Sequence, residues 1–430
     1  MTALPLDQIQ GFVLRGYSHP RARHFMIHVP AATNGKAFVA AITPLITTAT
    51  LWSEKPLVCC NVGFTADGLQ ALGIDVAQAN LAAEFVEGAI QRGFKCTGDD
   101  YDLGDTGDSA PNHWILDLGS GEVHIILSVY AMNPEARDTA TAAVLQLIRD
   151  AGVKLLGTHD SDDVLGDSRV HFGYHDGISQ PNIAGGTAKT DNQPVVATGE
   201  FVLGYPGEAN VPRPGPTFDP ANGSYSAFRV LKQDVDAFFA FLAKAAGQYD
   251  LPQEVIQAKF CGRWADGTPL VLSADHPDPG VTRNDFDYKD DFPARKCPIA
   301  SHIRRSQRRN EDTQQHRILR RAFPYGPPYV PQDGQERGLI GHFICTSLQQ
   351  QYEFVISQWV NGTTVDARSR DALIGAIDAE HPPAFNFYWK GANEPAEHRV
   401  KVEGFGRFTT TRGGAYCYLP SIAGLGVLAH

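Results

Sequence analysis

No Walker loop, GxGxxG turn, GxSxG elbow or HExxH helix occurs in the chain, which removes the usual signatures of nucleotide, dinucleotide, serine-hydrolase and zinc-peptidase chemistry. The seven cysteines, at 59, 60, 96, 261, 297, 345 and 417, form no CxxC pair and no framework spacing. Their odd number reads as reduced thiols. Long apolar runs are missing too: the strongest, Val123 to Met132, falls far short of the roughly 20 residues that cross a bilayer. A basic excess is also absent. The formal net charge is −11 at pH 7, which argues against general nucleic-acid binding. The segment Met1 to Asp7 carries neither a basic n-region nor an apolar h-region, and Arg21-Ala22-Arg23 is not a twin-arginine signal. The expectation is a cytoplasmic protein with no membrane partner.

What remains is ordinary globular composition, 43% hydrophobic and 20% charged, over 430 residues, a length that suits two domains. In the first half, Arg23 to Val29 reads as a strand, Lys36 to Ala49 as a helix disturbed by Pro44, and Leu57 to Thr65 as a strand. His113 to Leu118 and Glu122 to Ala131 read as a hairpin around Gly119-Ser120-Gly121. Asn133 caps a helix from Pro134 to Ala151, and Val170 to Tyr174 is the last strand. Strand, helix, strand, strand, helix, strand is the ferredoxin-like, split βαβ order.

The second half reads as a looser copy: strand Tyr225 to Leu231, helix Asp234 to Ala246, strand Leu339 to Ser347, helix Gln350 to Val360 and closing strand Gly414 to Leu419. Residues 184–224, rich in Gly, Pro, Asn and Thr, read as a linker that wraps the surface. The expected fold is α+β: two ferredoxin-like domains with antiparallel sheets, residues 1–199 and 200–430.

Three segments carry candidate chemistry. In Gly173-Tyr174-His175-Asp176-Gly177 paired glycines let the backbone turn tightly after a strand, and Ile178-Ser179-Gln180-Pro181-Asn182 lengthens the pattern. Alone, an Asp-Gly is usually only a turn. Cys297 to Arg304 offers one thiol and one imidazole, His302, with no second ligand pair nearby for zinc. A lone histidine is more often a hydrogen-bonded core residue, but a haem iron needs only one from the protein. Arg317 to Gly326 sets Arg320 in an apolar turn, where a guanidinium must find an anion or an internal salt bridge.

Between 295 and 321 lie Arg295, Lys296, Arg304, Arg305, Arg308, Arg309, Arg317, Arg320 and Arg321, against only Glu311 and Asp312. Internal salt bridges are the plain explanation, and a pocket for a small anion is the functional one. The acidic run Asp99 to Asp108 puts Asp105 and Pro111 where a calcium loop needs glycine and glutamate, so it reads as a solvated loop. Phe385, Phe387, Tyr388 and Trp389 read as core, with electron relay as the alternative for a solvent-reaching Tyr or Trp.

Together these segments resemble the dye-decolourising peroxidase family. Ile9-Gln10-Gly11, the Gly173 to Gly177 turn, the His302 and Arg320 blocks and Thr411 to Pro420 fall in the family's order and cover nearly the whole chain. The resemblance implies one haem b per chain, held mainly by the C-terminal domain, with the Asp176 turn reaching over from the first. It implies His302 as the iron ligand, Asp176 and Arg320 as the catalytic pair, and Arg309, Arg304, Gly177 and Ile178 as haem neighbours. The implied partners are hydrogen peroxide and aromatic or dye-like donors, oxidised through a ferryl intermediate, and a homo-oligomer is compatible with it. An acidic activity optimum would follow from acid-base work by a carboxyl group.

The resemblance also leaves His302 needing a carboxylate partner, for which Asp366, Asp371 and Glu403 are the candidates. One departure concerns the distal face. Many members carry a bulky aromatic after the stretch matching Arg337 to Ile340, whereas Gly341-His342-Phe343 follow here. The pattern is similar to the longer bacterial and fungal-like branch. Two competing readings stand: a haem carrier or iron-releasing protein without turnover, and a non-haem anion-binding protein.

Overall fold

Asn133 and Pro134 start a helix as their residue types require. The Asn133 Oδ1 accepts from the Ala136 amide at 2.8 Å, and Gly152, at φ 69°, ends the last turn. Asp234 caps a second helix in the same way, accepting from the Ala237 amide at 3.0 Å.

The computed structural model describes residues 3–95, 103–186, 193–281, 284–309, 311–362, 369–377, 383–391 and 396–430. Its strands are β1 Arg21–His28, β2 Val58–Phe64, β3 Ile125–Ala131, β4 Lys154–Asp162, the two-residue β5 Asn182–Ile183 and β6 Val195–Val196, β7 Ser224–Gln233, β8 Leu319–Tyr325, β9 Gly338–Cys345, β10 Ala384–Trp389, β11 His398–Glu403 and β12 Thr409–Leu419. The helices are α1 Gly11–Leu14, α2 Ala32–Ile42, α3 Ala66–Ala71, α4 Ala83–Lys95, α5 Pro134–Ala151, α6 Val235–Tyr249, α7 Gln253–Cys261, α8 His302–Ser306 and α9 Ile422–Leu428.

Eight strands form one sheet in the order β4-β1-β3-β2-β12-β7-β9-β8, antiparallel throughout. The first four run 4-1-3-2. With β7, β8, β9 and β12 as the four strands of the second half, that half also runs 4-1-3-2, so both halves are ferredoxin-like. Between β2 and β12 the pairing reduces to Tyr418 opposite Phe64. At the far ends β4 and β8 approach one another, with the His159 and Tyr325 rings 4.6 Å apart.

The sheet therefore rolls round a shared interior. There a hydrogen-bonded chain links the two halves: His24 Nδ1 to Ser128 Oγ at 2.8 Å, Ser128 Oγ to His342 Nε2 at 3.3 Å, and His342 Nδ1 to Ser226 Oγ at 2.8 Å. A second apolar core lies outside the sheet. It joins α6 and α7 to Phe172 and Tyr174, to Cys297 and Ala300, and to Ala372 and Leu373. The Asp176 turn and the His302 segment thus share one support, while the Arg320 segment packs on the main core through Leu319 and Tyr325.

Several expectations need correction. The helix expected over 36–49 occupies α2, and Pro44 stands in the short 3₁₀ turn after it, where its missing N–H costs nothing. Residues 113–118 make no strand, because Leu116 and Asp117 sit at φ 58° and 57°; the segment lies across β12 through the Ile115 amide to the Arg412 carbonyl at 2.7 Å. Val170 to Tyr174 is a tight turn, closed by Gly173 N to Val170 O at 2.8 Å, and the closing strand of the first half is β4. Arg320 lies in β8, a strand rather than a turn. The helix expected over 350–360 is wound as π turns, Leu348–Glu353 and Val355–Val360. The stretch 184–224 does more than wrap the surface, since Phe201, Val202 and Leu203 are buried in the main core.

Candidate functional site

His302 is the first residue of α8. The preceding Ser301 anchors the turn by donating its hydroxyl to the Lys259 carbonyl at 2.5 Å. The imidazole Nδ1 meets Asp371 Oδ2 at 2.9 Å. Asp371 is fully buried, and its other oxygen accepts from the Leu373 and Ile374 amides at 2.9 and 3.1 Å. Burial works against its charge, but the His302 ring and the Arg305 charge outweigh this and hold the carboxyl below its ordinary value. A carboxylate at Nδ1 makes that nitrogen the donor and leaves Nε2 as the lone-pair atom. This is how a metal-binding imidazole is oriented. Of the other two candidates, Glu403 is exposed on β11 and Asp366 lies outside the described residues.

The Asp176 turn is built by its glycines and its neighbours. Gly173 and Gly177 take φ 86° and 78°, values that side chains rarely tolerate. Tyr174 donates its hydroxyl to the Gln257 carbonyl at 2.8 Å, the Gln257 amide donates to the Phe172 carbonyl at 2.9 Å, and the Asp176 amide donates to Ser168 O at 2.8 Å. Helix α7 thereby holds the turn from below. Ile178 packs against Gly267, where any side chain would collide with it.

Arg320 reaches this turn from β8. Its Nη2 lies 3.4 Å from Asp176 Oδ1 and 3.3 Å from the Ser179 carbonyl. Strand β8 is an edge, so the backbone groups of Arg320 that face away from β9 need a partner. The Gln180 side chain supplies it, donating to Arg320 O at 3.2 Å and accepting from Arg320 N at 3.4 Å. Across the ladder Arg320 stands opposite Phe343, which puts that ring on the same sheet face. The aromatic beside the arginine is therefore Phe343, while His342 points into the sheet interior.

Two hydrogen bonds join the turn to the histidine. Ser179 Oγ donates to Gln307 Oε1 at 3.0 Å, and the Gln307 backbone N–H, just past the end of α8, donates to Ile303 O at 3.2 Å. The Gln307 Nε2 is buried without a partner. Neither Gln307 nor Phe343 was marked by the sequence as a site residue, whereas Ser179 and Gln180 lie in the run that lengthened the Asp176 pattern.

The arginine-rich segment divides between both of its explanations. Arg304 is committed to the protein, donating to Asp291 Oδ2 at 2.8 Å and to the Cys297 carbonyl at 2.6 Å, and lying over the Tyr288 ring. Arg295 pairs with Glu397, and Arg321 donates to the Phe12 carbonyl. Arg309 lies 3.8 Å over the Phe286 ring and donates to the Asn284 and Phe286 carbonyls. Arg263 shares Asn284 with it and is pushed down to about 10 by burial and by the Arg309 charge. That corner is strongly positive.

Among the described residues no group of three or more His, Cys, Asp or Glu side chains could hold a metal, and no helix is long and apolar enough to cross a membrane. The six described cysteines are all buried and unbonded. Phe385 and Phe387 are core, and Tyr388 and Trp389 are half-buried. Of the acidic run, residues 99–102 lie outside the described residues, and Asp105 pairs with Arg229 at 2.8 Å.

Residues 253–378 match the family model described as Dyp-type peroxidase, C-terminal, a span that holds His302, Arg320 and Asp371. The chain is 27% identical to Peroxidase 2 of Mycetinis scorodonius, over 98% of this chain and 87% of that protein. It is also 27% identical to the dye-decolorizing peroxidase of Mycena epipterygia, over 99% and 87%. A solved dye-decolorizing peroxidase in complex with 2,6-dimethoxyphenol matches with a TM-score of 0.83 and 25% identity, over 99% of this chain and 100% of that one. The crystal structure of a fungal DyP-type peroxidase from Auricularia auricula-judae matches in fold, with a TM-score of 0.83 at 24% identity over all of both chains.

Proposed function

We propose, from its likeness to the Dyp-type peroxidase model and to dye-decolorizing peroxidases over almost its whole length, that the chain is a dye-decolorizing peroxidase that uses one haem b, held at His302 and served by Asp176 and Arg320. The observation that carries this is the buried Asp371 on His302 Nδ1 at 2.9 Å, which leaves Nε2 for iron. The residues present fit the group. Gln307 Nε2 and Asn284 Nδ2 are buried donors without partners. The adjacent guanidiniums of Arg309 and Arg263 supply positive charge for its carboxylates. Gly177, with nothing within 4 Å of where a side chain would start, leaves the turn open to a planar ligand beside Ile178.

The bound haem iron would supply the centre that accepts peroxide and takes up its oxidising equivalents. Asp176 takes the proton from the inner oxygen of hydrogen peroxide and returns it to the outer one, so that the departing oxygen leaves as water. Arg320 donates to the charge that grows as the O–O bond lengthens, a preorganised contribution of roughly 10²–10³ in rate. Phe343, beside Arg320, presents an apolar neighbour that strengthens the guanidinium's field. Asp371 keeps the His302 ring in its orientation and tautomer. Arg304 acts by holding the Cys297 to His302 turn rather than by touching the haem.

Aromatic donors return two electrons singly; the 2,6-dimethoxyphenol bound by a solved relative supports phenols in that role. The test is His302→Ala. The variant should fold, as followed by circular dichroism, and lose its haem; wild-type haem content in it would overturn the ligand assignment.

A further inference from the structure

Asp371 orients His302, and a third residue holds Asp371 in place. Arg305 is on α8, three residues after His302, and is 0% exposed. Its Nε donates to the Trp359 carbonyl at 2.6 Å, Nη1 to the Ser369 carbonyl at 2.5 Å and hydroxyl at 3.2 Å, and Nη2 to the Gly362 carbonyl at 2.7 Å. Trp359 and Gly362 lie at the end of the π turns, and Ser369 lies two residues before Asp371. The Asp371 amide ties the same two segments by donating to the Val360 carbonyl at 2.9 Å.

A buried charge that merely filled space would be replaced without loss by an apolar side chain. A planar fork that grips the end of the π turns and Ser369 at once is a geometric device. It also ties the carboxylate's segment to the helix that carries the imidazole, so the two partners cannot drift apart independently.

We propose that Arg305 is a positioning residue for the His302–Asp371 pair, clasping the end of the π turns to the segment that presents Asp371 to Nδ1. This rests on His302 being the haem ligand. The test uses the haem-loaded protein and reads the iron–histidine stretching band of the ferrous form by resonance Raman, with the rate of haem transfer to apomyoglobin. Arg305→Met should move the band to lower frequency, as Asp371→Asn should, and speed haem loss by about 10–100-fold.

The double variant should go no further than Asp371→Asn alone, because both changes act through one contact. General loosening of the fold would instead add to the effect of Asp371→Asn. Arg305→Lys, which keeps the charge and loses the fork, should fall between. If Arg305→Met does not fold, Arg305→Gln is measured by the same criterion. An unshifted band with wild-type haem loss, or additive effects in the double variant, overturns the proposal. A band that survives in His302→Ala would instead overturn the ligand reading on which it rests.

Discussion

Arg320→Leu should separate catalysis from stability. The Asp176 contact is 3.4 Å long between side chains 33% and 43% exposed, so solvent screens it and its loss costs at most about 1 kcal/mol. The backbone of Arg320 is held independently by the β9 ladder and by the Gln180 amide, and neither depends on the guanidinium. For a protein of this size such a loss lowers Tm by only about 1 °C. Losing a donor aimed at the departing oxygen should cost about 2.7–4 kcal/mol of barrier, or roughly 10²–10³ in the rate of reaction with peroxide. Stopped-flow mixing of haem-loaded protein with hydrogen peroxide, beside a thermal melt, measures both. Arg320→Lys should recover only part of the rate, since a point charge lacks the fork. A rate within about threefold of the parent would refute the role of Arg320, and a melting loss that tracks a fall in haem content would refute the separation.

Asp176→Asn should likewise keep haem and fold while slowing the peroxide reaction by about 10²–10⁴, and a parental rate would remove Asp176 from proton transfer. Burial pushes His342 down to about 3 and His24 down as well. The unfolded chain therefore takes up their protons first, so the stability present above about pH 6.5 is lost as pH falls towards 3, by about 2 kcal/mol at pH 5 from His342 alone. Urea midpoints at pH 7.5 and 5 should show this, His342→Gln should flatten it, and equal pH slopes in the two proteins would contradict the assignment. The Arg229–Asp105 pair is almost wholly buried at 2.8 Å, so Asp105→Asn should destabilise the protein by about 3–5 kcal/mol in chemical denaturation, and a change below about 1 kcal/mol would show that the guanidinium finds another partner.

The strands and helices that were legible are those with both a period and a cap, such as α5 with Asn133 and Pro134, or β7 leading into α6 at Asp234. In the eight-stranded sheet the two strands that were not legible, β4 and β8, are its two edges. An edge need not alternate apolar and polar. In β4, Asp160 and Asp162 pair with Arg23 and Arg21 across the ladder, so its sequence reads as loop. Strand β8 carries Arg320, Arg321 and Pro324, and a proline is tolerated there because one side is open.

At the site, His302, Arg320 and Asp176 stood out because each lies in a distinctive local pattern. Asp371 could be reached only as one of three acids, since it sits in an irregular segment whose sequence carries no period. Gln307 and Phe343 act through pairings between segments distant in the chain, which no local pattern records. Arg304 and Arg305 show the same limit: their charges were visible, but Asp291 and the carbonyls that engage them were not.

The visible spectrum of the purified protein, before and after one equivalent of hydrogen peroxide, tests the central claim most directly. A haem Soret band should shift promptly with peroxide and return when a phenol or dye donor is added. A band that only bleaches would point to a haem carrier without turnover. Protein that takes up no haem at all would contradict the assignment of His302 and the peroxidase chemistry together.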